Sequence, residues 1–266
     1  MQVEIPILGD LVHVQIHGAK DAKKCIFILP PGGLNFEYST IVSLLNSHMT
    51  TLDLSGYEIV IFEYPGIGTA PAYRKVSVNI VAQKCISFLK MKQYDEVTLI
   101  GFSFGGSVAL DMLDEVPRLF SKVIIVASGE YFEIIPRTVL FLFFYISLIS
   151  KKLNMFIYFF LVHVLKIFSP FVLNDLDNLI QMGRSIVRYR IHATTHQLPA
   201  LLVFCKNDAV VRKSSVPKLV KKFPYGESKE IAVRHTKLLT TTEIKTIKTL
   251  ITESIVPFLS STSQNA

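Results

Sequence analysis

Cysteine is scarce in this chain, with only Cys25, Cys85 and Cys205. None of them forms a C-x-x-C pair, and three thiols do not make a disulfide framework or a metal site. Cys25 and Cys205 fall in apolar runs and Cys85 in a helix-like stretch, so all three read as small buried hydrophobes. Charge is thin as well, at 18% of residues with a net charge of +7. The basic residues are scattered as Lys23-Lys24, Lys151-Lys152, Lys221-Lys222 and single positions. Without an Arg-rich arm or zinc-finger spacing, the pattern argues against nucleic-acid binding and leaves only a mild attraction to anionic membrane surfaces. Within 130–197 the longest uncharged runs reach about 13 residues and are interrupted by Lys151-Lys152, short of the roughly 20 needed to cross a bilayer. The start, Met-Gln-Val-Glu-Ile-Pro, lacks the basic head and apolar stretch of a secretory signal, so a reducing, cytoplasmic compartment is expected.

What the chain has is apolar residues, at 50% of its 266 positions. In the first half they come as short runs with helical stretches between them. Strands are expected at 11–16, 25–29, 57–62, 97–100 and 123–127, with helices at 38–48, 78–90 and 107–115. A hairpin between 11–16 and the segment before it fits the alternation there. Continuous apolar runs separated by helices indicate a mostly parallel sheet covered on both faces, hence an α/β fold. The rhythm breaks near Gly129. The stretch 130–197 reads as an apolar helical insertion, with helices at 138–150, 153–165 and 167–173. It then resumes with a strand at 199–206, a helix at 214–222, a strand at 230–233 and a closing helix at 242–259. The expected organisation is a core at 1–129 and 198–260, a cap at 130–197 and a disordered tail at 261–266.

The most informative motif is Gly101-Phe102-Ser103-Phe104-Gly105-Gly106, directly after Val97-Thr98-Leu99-Ile100. It is G-x-S-x-G on a strand-to-helix turn, which lifts a serine hydroxyl above the sheet at a helix N-terminus. Phe104 N–H can then face a developing oxyanion. Such a serine needs a base, and the base needs an acid to orient it. Asp208 follows the expected strand at 199–206, and His235 follows the one at 230–233, so both fall past strand ends as Ser103 does. His13, His17 and His48 precede the serine, whereas His163, His192 and His196 lie in the insertion, where His196 is the next-best base. Asp175 and Asp177 also lie in the insertion, and Asp111 and Asp114 read as solvated residues on the helix after Ser103.

Over nearly its whole length the chain resembles the α/β-hydrolase fold superfamily. The motifs that carry the likeness are Leu29-Pro30-Pro31-Gly32-Gly33, Glu63-Tyr64-Pro65-Gly66-Ile67-Gly68, the Ser103 turn, Asn207-Asp208-Ala209-Val210-Val211 and Arg234-His235. The resemblance implies Ser103 as nucleophile, His235 as base and then acid, and Asp208 as the residue that orients the histidine. It implies no metal and no organic cofactor. In one place the chain departs from the family: the loop after the third strand often begins His-Gly, and here it is Pro30-Pro31. Neither proline has an N–H, so Gly32, with Gly33 close behind, is the expected second oxyanion donor beside Phe104.

An apolar cap over such a site excludes water and suits an apolar acyl group; as packing alone it would be a structural cap. The expected activity is hydrolysis of carboxylic esters with apolar, lipid-like acyl groups through an acyl-enzyme, in the manner of carboxylesterases and lipases, with peripheral membrane contact through the cap. Two alternatives stand. Pro30-Pro31-Gly32-Gly33 resembles the loop of the acyl-thioesterase branch, and the fold also serves proteins that bind ligands without catalysis. A serine at the nucleophile position argues against dehalogenases and epoxide hydrolases; peptidase and cofactor-free haloperoxidase chemistry stay open.

Overall fold

The structure, a computed structural model, describes residues 1–32, 56–67, 70–130, 176–206, 208, 210–232, 235 and 249–261. The expected helix at 38–48, the three cap helices at 138–173, Gly33, His163, Asp175 and most of the tail lie outside the described residues.

Eight strands form one sheet: β1 (Gln2–Ile7), β2 (Asp10–Gly18), β3 (Lys24–Leu29), β4 (Tyr57–Glu63), β5 (Glu96–Phe102), β6 (Lys122–Val126), β7 (Ala200–Cys205) and β8 (Glu227–Ile231). Their spatial order is β1-β2-β4-β3-β5-β6-β7-β8. β1 pairs antiparallel with β2, and β2 with β4; every other pair is parallel. Among the described residues the helices are α1 (Val78–Lys92), α2 (Phe104–Glu115), α3 (Leu176–Arg188), α4 (Ser215–Lys222) and α5 (Val256–Ser260), the last preceded by a π turn at Ile251–Ile255.

The apolar runs explain the layers. Side chains alternate across a strand, and here both faces are apolar. Cys25, Phe27 and Leu29 of β3 join Val97 and Leu99 of β5 and Val123 and Ile125 of β6 on one face. Ile26 and Ile28, Ile100 and Phe102, and Ile124 and Val126 make the other. The first face is covered by α1, α2 and α4, through Phe88, Met112 and Leu219 among others. Leu250, Ile251, Ile255 and Phe258 cover the second. Full burial of each such side chain contributes roughly 1.5–3 kcal/mol. Ser77 caps α1 by accepting the Ile80 N–H at 3.1 Å, and Gln93 ends it in the left-handed region. All three cysteines are free and buried.

Two expectations need correction. β8 starts earlier than 230, because its sequence, Glu-Ser-Lys-Glu-Ile, lies on an edge with an exposed face and shows no apolar run. Asp111 and Asp114 are not solvated: each side chain is only 13% exposed. Lys222 Nζ donates to Asp114 Oδ1 at 2.6 Å and to Thr194 Oγ1 at 2.8 Å, binding the chain before β7 to α2. Among the described residues no helix is long and apolar enough to cross a membrane.

Candidate active site

The parallel strands β3, β5 and β7 end on one edge of the sheet, and the loops beyond them converge there. β5 ends at Phe102 and α2 begins at Phe104, leaving a single residue, Ser103, to reverse the chain. Its backbone takes φ 49° and ψ −117°, a conformation that costs a non-glycine residue about 1–3 kcal/mol. Neighbours hold it there. Ser103 N–H donates to Val126 O at 2.8 Å, tying the turn to β6. A Cβ added at Gly105 would lie 2.2 Å from Leu29 O, so only glycine lets α2 sit this close to the end of β3.

Ser103 Oγ lies 2.8 Å from His235 Nε2, and His235 Nδ1 lies 2.9 Å from Asp208 Oδ2. Asp208 Oδ1 accepts the N–H groups of Val210 and Val211 at 2.8 and 2.9 Å. Ser103 is 8% exposed and His235 1%. Burial works to raise the Asp208 carboxyl. The hydrogen bond and charge of His235, with the Val211 and Val210 N–H groups, outweigh it and hold the carboxyl below the usual carboxylate range. An ionised carboxylate only accepts hydrogen bonds. His235 Nδ1 must therefore carry the proton, and Nε2 is left as an acceptor facing the serine hydroxyl.

Phe104 is the first residue of α2, so its N–H has no intrahelical partner. Gly32 lies against it: a Cβ on Gly32 would come 2.8 Å from Phe104 Cβ and 3.3 Å from Met182 Cε. Gly33, the other expected donor, falls outside the described residues, as do Asn207, Ala209 and Arg234. The structure adds Tyr64, which sequence reasoning read only as part of a loop. Its buried hydroxyl donates to Pro30 O at 2.8 Å, and its ring meets Phe104 edge-on at 5.1 Å. An aromatic one residue past a buried strand was the available signal.

The other candidates are engaged elsewhere. His196 Nε2 is 2.9 Å from Asp114 Oδ1, ten residues along α2 from Phe104 and so about 15 Å away along the axis. Glu130, just past β6, accepts Lys218 Nζ at 2.7 Å and the Ile191 N–H at 3.2 Å. Burial pushes the Cys205 thiol up to about 12, with Asp208 adding to it, so it is no thiolate nucleophile at neutral pH. Among the described residues no group of three His, Cys, Asp or Glu side chains is arranged to hold a metal.

A family model described as alpha/beta hydrolase fold matches residues 26–147, a span that includes Gly32 and Ser103 and stops before Asp208. An uncharacterized hydrolase, YugF, of Bacillus subtilis (strain 168) is 29% identical over 87 residues, 32% of each chain. The match thus spans about a third of that relative's length. Among solved structures, an esterase from Exiguobacterium antarcticum superposes with TM-score 0.69 at 15% identity, covering 98% of this chain and 100% of that one. The enol-lactonase from Burkholderia xenovorans LB400 gives TM-score 0.68 at 14% identity, covering 97% and 100%. At such identities the likeness is one of fold. Strand order, the Ser103 turn and these matches agree: the chain has the α/β-hydrolase fold.

Proposed function

We propose that the protein is a serine hydrolase that cleaves carboxylic esters with apolar acyl groups through an acyl-enzyme. The observation that carries this reading is the buried hydrogen-bond chain from Ser103 through His235 to Asp208, at 2.8 and 2.9 Å. Ser103 Oγ attacks the substrate carbonyl carbon while His235 Nε2 takes its proton. The carbonyl oxygen becomes an oxyanion that the Phe104 and Gly32 N–H groups stabilise in a site from which water is excluded. His235 then gives its proton to the leaving alcohol, and the acyl group stays on Ser103. A water molecule, deprotonated by the same nitrogen, releases the acid and restores the serine. Asp208 keeps the Nδ1 proton in place and stabilises the imidazolium throughout. The apolar composition of 130–197 supports an apolar acyl group.

Thioester hydrolysis is the second reading, favoured by Pro30-Pro31-Gly32-Gly33. A panel of nitrophenyl esters and acyl thioesters of rising acyl length separates the two. Ester turnover that rises with chain length and vanishes in Ser103→Ala supports the first reading, and preference for thioesters supports the second. No turnover of either by folded protein would leave a ligand-binding α/β-hydrolase fold protein.

A further inference from the structure

A groove of about 540 Å³ lies between the start of α1, the middle of α2 and one side of α3. No step of the proposed reaction uses it. Its walls are fixed by side-chain to backbone hydrogen bonds. Asn178 Oδ1 accepts the Tyr73 N–H at 2.8 Å and Asn178 Nδ2 donates to Tyr73 O at 2.9 Å. Gln181 Oε1 accepts the Val76 N–H, and Ser185 Oγ the Val78 N–H, each at 2.8 Å. These bonds also satisfy donors at the start of α1, so the helix end itself offers little to a ligand.

The charge lining the groove has one predominant sign. Arg184, Arg188 and Arg190 line it, against the single carboxylate of Asp111. Arg190 Nη1 donates to Tyr189 O at 2.7 Å and to Val187 O at 3.1 Å, which fixes its guanidinium at the rim. Val76, Val78 and Tyr189 also line the groove and give it an apolar part. Guanidiniums bind phosphate oxygens in a forked geometry and stack on planar rings. The volume suits a nucleotide-sized molecule. The groove is also near the candidate site: Gln181 lines it, and the next residue, Met182, packs towards Gly32. A ligand held there lies about one helix diameter, ~10 Å, from the loop of Gly32.

We propose that this groove binds a soluble organic phosphate, the phosphate-bearing head of an acyl substrate whose acyl end reaches Ser103. Arg184 and Arg188 hold the phosphates, and the apolar part takes a planar group. The assignment as a substrate head rests on the hydrolase reading above; the binding does not.

The test is titration calorimetry of the full chain with adenosine 3′,5′-bisphosphate, and with adenosine as the phosphate-free control. The bisphosphate is expected to bind at least about tenfold more tightly than adenosine. Arg188 is exposed, so Arg188→Glu leaves the fold intact and should weaken binding about tenfold or more. Raising salt from 0.1 to 1 M, which shortens screening from about 10 to about 3 Å, should weaken it further. Ser103→Ala should bind as the parent does, so loss of turnover and loss of binding are read separately. No binding by folded protein, equal binding of adenosine, or an unaltered Arg188→Glu would overturn the proposal. So would co-sedimentation with phosphatidic-acid vesicles in a protein that ignores the bisphosphate.

Discussion

Replacing Asp208 by asparagine changes one atom and tests the direction of the proton in the Ser103–His235–Asp208 chain. In the parent, Oδ1 accepts two backbone N–H groups and Oδ2 accepts His235 Nδ1–H. An asparagine has one oxygen. Kept on Val210 and Val211, that oxygen leaves the NH₂ group facing Nδ1. Two donors cannot meet, so the ring proton moves to Nε2, and the nitrogen that should take the Ser103 proton already carries one. The expected loss in kcat is roughly 10,000-fold, about 5 kcal/mol of barrier, the size that a tautomer error produces in serine hydrolases. The replaced charge contributes about 1–3 kcal/mol to stability, so the variant stays folded at 25 °C. Burst and steady-state hydrolysis of a nitrophenyl ester, with circular dichroism to verify folding, measures the effect. A variant within tenfold of the parent would refute the reasoning.

Tyr64→Phe removes the hydrogen bond to the buried Pro30 carbonyl; it should cost about 1–3 kcal/mol in a urea melt and lower kcat with little change in KM. Equal losses of kcat and KM would show that Tyr64 does not position the Gly32 loop. Gly105→Ala places a Cβ 2.2 Å from the Leu29 carbonyl and should destabilise by about 3 kcal/mol or more. Gly183→Ala in α3, with nothing within 4 Å, should stabilise by about 0.5–1 kcal/mol. A Gly105 variant as stable as the parent would contradict the packing of α2 on β3. The carboxyls of Asp114, Glu130 and Asp208 are lowered in the folded chain. Lowered carboxyls add stability above their unfolded values, about 3.9 for Asp and 4.3 for Glu, and lose it as pH falls through the folded ones. Asp111, raised by burial, acts in the opposite sense. Urea midpoints should therefore hold from pH 7 to about 5 and drop below about pH 4; a steep loss between pH 7 and 5 would point to other groups.

The parallel strands were legible because both faces are buried. Runs such as Cys-Ile-Phe-Ile-Leu and Val-Ile-Ile-Val-Ala carry no polar alternation, and only a sheet covered on both sides asks for that. β8 was misplaced for the converse reason, since an exposed edge strand needs no apolar residues. Ser103 could be read from glycine spacing, because Gly105 and Gly101 admit backbone where a Cβ would clash. Asp208 and His235 could be read only as positions past strand ends. Local pattern did not reveal long-range partners. Lys222 and Asp114 are 108 residues apart, and Tyr64 and Pro30 are 34 apart. Each looks like an ordinary surface or loop residue until the fold joins it to its partner.

The most direct test of the central claim is covalent labelling with a fluorophosphonate, followed by mass mapping of the modified peptide. The account expects one adduct per chain, on Ser103, absent in Ser103→Ala and formed far more slowly in His235→Ala. Labelling elsewhere, or an unreactive Ser103 in protein that is folded and supplied with detergent, would contradict it.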